Sequence, residues 1–127
     1  ATVTQVLRYG ERARAGGLAL LEAPGNDAVS STALVAAGAT VLLFTTGRGT
    51  PLGFPVPTLK IASNSALANA KPRWIDFDAG AVLAGTSAEA AGAALYARVL
   101  ETASGAPARN ELNDERDIAI WKDGVTL

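Results

Sequence analysis

The chain has 127 residues, enough for one domain with a real core and too few for two ordinary ones. With 49% apolar and 18% charged residues and a net charge of -1, it has a globular composition without the charge footprint of a nucleic-acid or anionic-membrane binder. It contains no cysteine and no histidine, which excludes disulfides, thiolate metal sites, a cysteine nucleophile, a Ser-His pair and imidazole acid–base chemistry; a metal held by this chain alone would see only oxygen ligands.

No run approaches the roughly 18 consecutive apolar residues of a membrane span, and Ala1-Thr2-Val3-Thr4-Gln5 is not a signal peptide. A cytoplasmic protein with no membrane or nucleic-acid partner is the simplest expectation. There is no methionine, even at position 1, as expected after removal of an initiator or for a segment from inside a longer polypeptide.

In chain order, Val3, Val6 and Leu7 sit at helical spacing and predict an entry helix within residues 1–15. Leu18-Ala19-Leu20-Leu21, between Gly16-Gly17 and Pro24-Gly25-Asn26-Asp27, has the pattern of a buried strand with turn punctuation. Asp27 can cap a helix over Ala28 to Ala37 that stops at Gly38, and Ala39-Thr40-Val41-Leu42-Leu43-Phe44 is the next strand. The loop from Thr45 to Val56 carries glycines and prolines too closely spaced for helix. Thr58-Leu59-Lys60-Ile61-Ala62 reads as a third strand, Ser63-Asn64-Ser65 starts a short helix through Ala70, and Trp74-Ile75-Asp76-Phe77-Asp78 alternates as a fourth strand. Thr86-Ser87-Ala88-Glu89 has capping-box spacing. After it, Ala90, Ala93, Ala94, Ala97 and Leu100 recur at helical intervals until Gly105, in an alanine-rich chain whose helices should lie close to the sheet. Residues 106–127 read as an extended tail, with Ile118-Ala119-Ile120-Trp121 an edge strand or docking segment.

Strands separated by helices predict a single α/β domain with a mostly parallel sheet of about four to five strands and helices on both faces. Ligands in such sheets bind at the carboxyl ends of the strands. Those ends are Glu22 to Asp27, Thr45 to Thr50, Ala62 to Asn64 and Asp78 to Gly80, so the suggestive polar residues fall on one edge.

Thr45-Thr46-Gly47-Arg48-Gly49-Thr50 is neither a P-loop nor a dinucleotide fingerprint. It is an anion-binding loop or a tight turn, and Arg48 is the residue that discriminates, because a turn has no need of a guanidinium between two glycines. Lys60 is either an outward-facing strand residue or an amine that pairs with a substrate carboxylate or acts as a base. Asp27 reads first as a helix cap, Asp76 and Asp78 as exposed strand-end carboxylates, and Trp74 and Trp121 as core or interface anchors.

The runs Phe44 to Thr50, Pro57 to Asn64 and Asp76-Phe77-Asp78-Ala79-Gly80 resemble the C-terminal domain of the altronate and galactarate dehydratase family of sugar-acid lyases. Leu18 to Ser31, with Pro24, Asp27 and Ser30, and the closing Ile120-Trp121-Lys122-Asp123-Gly124 are similar to it too. The resemblance covers nearly the whole chain. It implies a Rossmann-like module from a longer bacterial enzyme, lacking a small N-terminal and a middle domain, and favours the internal-segment reading of the start. It also implies metal-dependent β-elimination of water from a sugar acid to a 2-keto-3-deoxy acid, with iron(II) or another divalent ion whose soft ligands come from the missing domain, and a homodimer. On that chemistry Arg48 and Lys60 become catalytic candidates. Thr45, Thr46, Gly47, Arg48, Gly49, Thr50, Ser63 and Asn64 become substrate contacts, and Asp27 and Asp78 possible metal ligands. Two alternatives stand beside it: a non-catalytic anion-binding or regulatory module, and a related lyase with another leaving group, as in sulfolactate lyases.

Overall fold

The structure, a computed structural model, describes residues 1–121. Strands β1 (Val3–Leu7), β2 (Leu18–Leu21), β3 (Leu42–Thr46), β4 (Thr58–Ala62) and β5 (Phe77–Asp78) alternate with helices α1 (Asp27–Ala37), α2 (Ser65–Ala70), α3 (Ala88–Ala103) and α4 (Arg109–Leu112). A 3-10 helix, Ala79–Ala84, follows β5. The strand pairings are parallel, as expected, but they form two small sheets, β1-β2 and β3-β4-β5, in place of one Rossmann-like sheet of four to five strands. The alternating exposure along Leu18–Leu21 fits a strand with one open face, whereas a continuous apolar run suggests a strand covered on both.

β1 stands where the entry helix was expected. Val3, Thr4 and Val6 are β-branched, and the segment completes its backbone bonding against Leu18–Leu21, a distant partner that no local period reports. Gln5 holds the connection between the two strands. Its amide donates to the Ala15 carbonyl at 2.8 Å and accepts from the Arg14 N–H at 3.3 Å.

The caps also shift by one residue. Asn26, not Asp27, caps α1, its Oδ1 accepting from Ala28 N and Val29 N at 3.1 and 3.2 Å, and Asp27 becomes the first helical residue, favourable beside the positive helix end. Ser87 caps α3 by accepting from Ala90 N at 3.1 Å, so the Thr86 to Glu89 capping box is not used. The predicted fourth strand contracts to Phe77–Asp78 because Lys71 O is already occupied by the N–H groups of Trp74 and Ile75, which turns that stretch into a bend.

β4 is the centre of the three-stranded sheet, and all five of its residues are buried. Leu59 and Phe54 are fully buried, and Ala62, Leu67 and Ile75 cluster where α2 folds back over the strand. Asp76 is likewise internal, not an exposed strand-end carboxylate. It accepts from Lys60 N and Arg109 N, both at 2.9 Å, and Arg98 of α3 reaches it at 3.8 Å.

α3 packs through a different stripe from the predicted one. Ala91, Leu95, Arg98, Val99 and Thr102 face inward, whereas Ala90, Ala93, Ala94, Ala97 and Leu100 are exposed. Both stripes have helical spacing; the contact of Arg98 with Asp76 selects the orientation. The polar tail is not simply extended either. It forms α4, buries Asn110, and sends Asp117 back to Gly53, where Asp117 N donates to the Gly53 carbonyl at 2.7 Å. Ile118 to Trp121 carry no strand, and Lys122 to Gly124 of the predicted closing motif lie outside the described residues.

Among the glycines of the described residues Gly80 is the most closely packed, since a Cβ there would lie 2.2 Å from Ser65 N and 2.5 Å from Asn64 backbone atoms. Gly80→Ala is therefore expected to lower stability by about 3 kcal/mol through forced backbone movement. Gly92→Ala, in the open middle of α3, is expected to raise it by roughly 0.5–1 kcal/mol. Chemical denaturation of the two variants checks the opposite signs.

Candidate functional site

The parallel register of β3, β4 and β5 aligns their carboxyl ends: Thr46 is opposite Ala62, and Ala62 opposite Asp78. The Gly47–Thr50 loop, Ser63-Asn64 and Asp78 therefore share one sheet edge. Asp27 follows the other sheet, at the start of α1.

The loop is braced by its own hydroxyls and by Asn64. Thr46 Oγ1 accepts from Gly49 N at 2.9 Å, Thr50 Oγ1 accepts from Leu52 N at 3.1 Å, and Gly49 takes the left-handed conformation at φ 80. Asn64 works in two directions. Its Oδ1 caps α2 by accepting from Leu67 N at 2.8 Å, and its Nδ2 donates to the Gly47 carbonyl at 3.2 Å. Ser63 N completes the ladder on Thr46 O at 3.0 Å, which leaves the Ser63 side chain exposed beside Gly47. Thr45 and Arg48 are exposed, and the Arg48 guanidinium has no ion-pair partner among the described residues. The N–H groups of Gly47 and Arg48 have no acceptor among those residues either. Of the expected contacts, Thr46, Thr50 and Asn64 shape the loop, and Thr45, Arg48, Ser63 and the two amides remain open to a ligand. An exposed guanidinium beside free amides is a donor set for a carboxylate.

Lys60 lies beneath. It is fully buried, and its Nζ donates to Thr50 O and Pro51 O, both at 3.2 Å, and to Glu115 Oε2 at 2.7 Å. It is therefore not the outward-facing strand residue, and its ammonium has as many acceptors as donors. Glu115 is oriented by Asn113, whose Nδ2 donates to Oε1 at 3.2 Å. Asn110 extends this buried polar network: its Oδ1 accepts from Thr58 N at 2.8 Å, and its Nδ2 is shared among the carbonyls of Phe54, Val56 and Glu115.

Asp78 is occupied as the cap of the 3-10 helix, its Oδ1 accepting from Gly80 N at 2.8 Å. Among the described residues no three His, Cys, Asp or Glu side chains gather as a metal-holding group. No helix of those residues is long and apolar enough to cross a membrane.

Sequence reasoning passed over four contributors. Glu115 and Asn110 lie in a segment read as a surface tail, and Asp76 was read as exposed. Lys71, which donates to the Arg48 carbonyl at 3.0 Å, reads in sequence only as a basic residue after a short helix. A signal was available for one of them: a strand-embedded lysine such as Lys60 demands a buried carboxylate, although spacing does not say which.

The family model described as D-galactarate/altronate dehydratase, C-terminal, matches residues 1–126. The chain belongs to this family. It is 53% identical over 125 residues to the altronate dehydratase of Escherichia coli (strain K12), covering 98% of this chain and 25% of that protein. It is 50% identical over 126 residues to the altronate dehydratase of Bacillus subtilis (strain 168), again with 98% and 25% covered. The galactarate dehydratase (L-threo-forming) of Escherichia coli (strain K12) is 41% identical over 108 residues, covering 81% of this chain and 20% of that protein. This dehydratase-family chain thus spans about a quarter of the length of the altronate dehydratases it matches.

For the dehydratase-family domain, Glu115→Ala is expected to cost about 3 kcal/mol or more, because it strands a buried ammonium. The double variant Lys60→Met with Glu115→Gln is expected to recover much of that loss. Denaturation midpoints of the single and double variants read the difference.

Proposed function

We propose that the chain is the C-terminal part of a hydro-lyase that dehydrates a sugar acid of the altronate class to a 2-keto-3-deoxy acid. One observation carries this reading: an exposed Arg48 with no ion-pair partner among the described residues stands in a braced loop at the joined carboxyl edge of three strands, in a chain 50–53% identical to proteins named altronate dehydratase. Exposed apolar residues such as Leu83 (83% accessible) and Tyr96 (65%) support a place within a larger enzyme whose N-terminal and middle parts complete the site.

In the reaction, a base removes the proton α to the carboxylate and negative charge spreads onto the carboxylate oxygens. The β carbon–oxygen bond then breaks, hydroxide leaves as water with a proton from an acid, and the enol formed ketonises. Arg48 and the Gly47 and Arg48 amides bind the carboxylate and hold the developing enediolate charge. Thr45 and Ser63 orient neighbouring hydroxyls. Lys60 acts from below, fixing the carbonyls of Thr50 and Pro51 so that the loop keeps its shape. A divalent ion such as iron(II), where the reaction uses one, takes its ligands outside the described residues.

Arg48→Ala in the full-length enzyme is expected to lower kcat/KM on altronate about 100-fold, equivalent to about 2.7 kcal/mol of transition-state stabilisation, with thermal stability unchanged. Formation of the 2-keto product is the readout. A wild-type rate in this variant would remove the loop from the site.

A further inference from the structure

Two lysines hold the Gly47–Thr50 loop, and they differ in what their ammonium groups have left to donate. Lys60 has three acceptors for its three N–H groups. Lys71, just after α2, donates to the Arg48 carbonyl at 3.0 Å and has no carboxylate within ion-pair distance among the described residues. Two of its three donors have no acceptor among the described residues.

The position of that ammonium is nonetheless fixed. It lies 4.7 Å from the centroid of the Trp74 ring, a cation–π distance. Its stem covers Gly49, where a Cβ would meet Lys71 Cδ at 3.0 Å and Nζ at 3.4 Å. An aromatic face, a carbonyl and a glycine surface thus hold one cation against the residue that carries another. Neither Arg48 nor Lys71 has a counter-charge among the described residues, in a chain whose net charge is -1. A held ammonium packed against the loop that carries Arg48, both without a counter-charge among the described residues, makes a site for an anionic group.

We propose that Lys71 is the second cation of this site, which with Arg48 takes one carboxylate of a polyhydroxy acid. The inference rests on the reading that the loop meets a substrate carboxylate, and it makes Lys71, rather than Lys60, the lysine that touches the ligand.

The test uses the full-length enzyme. Lys71→Met keeps the stem over Gly49 and removes the charge. KM for D-altronate is expected to rise at least about tenfold with kcat within about threefold of wild type, the scale of one charge-assisted contact. The dependence of KM on ionic strength is expected to flatten, because one charge fewer meets the carboxylate. Lys71→Arg, which keeps the charge, is expected to stay closer to wild type in both measures. An unchanged KM, or a raised KM with the wild-type salt dependence, overturns the proposal, the latter result meaning that Lys71 only shapes the loop. Should Lys71→Met fail to fold, Lys71→Gln, uncharged but still a donor for the Arg48 carbonyl, is read by the same criteria. If the wild type neither binds nor dehydrates altronate or galactarate, the proposed function falls, and calorimetric titration with D-gluconate decides on Lys71 alone. Binding at least about tenfold weaker in Lys71→Met supports it, and equal affinity or no binding by either protein overturns it.

Discussion

A lysine in the central strand of a parallel sheet is the constraint on which the rest of this domain depends. Removing an ammonium from water costs several kcal/mol unless a carboxylate and further acceptors replace the lost hydration. For Lys60 those replacements are Glu115 and the carbonyls of Thr50 and Pro51, drawn from segments far apart in sequence. The 109–117 segment must therefore fold under the 50–58 loop. Asn110 follows from the same requirement, since that arrangement encloses backbone groups of Phe54, Val56 and Thr58 that need partners.

The consequence for the site is a loop held from two sides. Below, the Lys60 network fixes the carbonyls of Thr50 and Pro51. Beside it, Asn64 and Lys71 fix those of Gly47 and Arg48. With its carbonyls tied back, the loop turns amides and a guanidinium outward. Donors arranged before a ligand arrives can favour developing negative charge without reorganising, which is the property an enediolate-forming reaction demands. The stability of the buried pair and the electrostatics of the exposed loop are thus linked through a few carbonyl oxygens.

Much of the local structure was legible. β4 runs over the predicted residues, α2 begins and ends within two residues of expectation, and Gly38 stops α1 as read. These features follow from signals within a few residues: an apolar run, an Asn at a helix start, a glycine at its end. The misreadings fall where two local answers are equally good. Val3, Val6 and Leu7 suit a helix or a strand, and pairing with β2 decides. α3 carries two stripes at helical spacing, and Arg98 meeting Asp76 decides between them. The loop was visible because Gly-Arg-Gly is an unusual run. Glu115 and Asn110 were not, because polar residues in a tail look the same whether solvated or buried.

By itself the sequence determined the chemistry at the chain's disposal. With no histidine or cysteine it offers guanidinium, ammonium, carboxylate, hydroxyl and backbone donors, and its strand-end punctuation puts them on a parallel sheet edge. The Thr-Thr-Gly-Arg-Gly run and its neighbours also marked the family. Only the tertiary structure decided which cation is fully committed to the fold and which keeps donors without an acceptor among the described residues. Spacing along the chain cannot distinguish Lys60 from Lys71, because an ammonium's role is set by the acceptors that surround it, and those come from segments up to 55 residues apart.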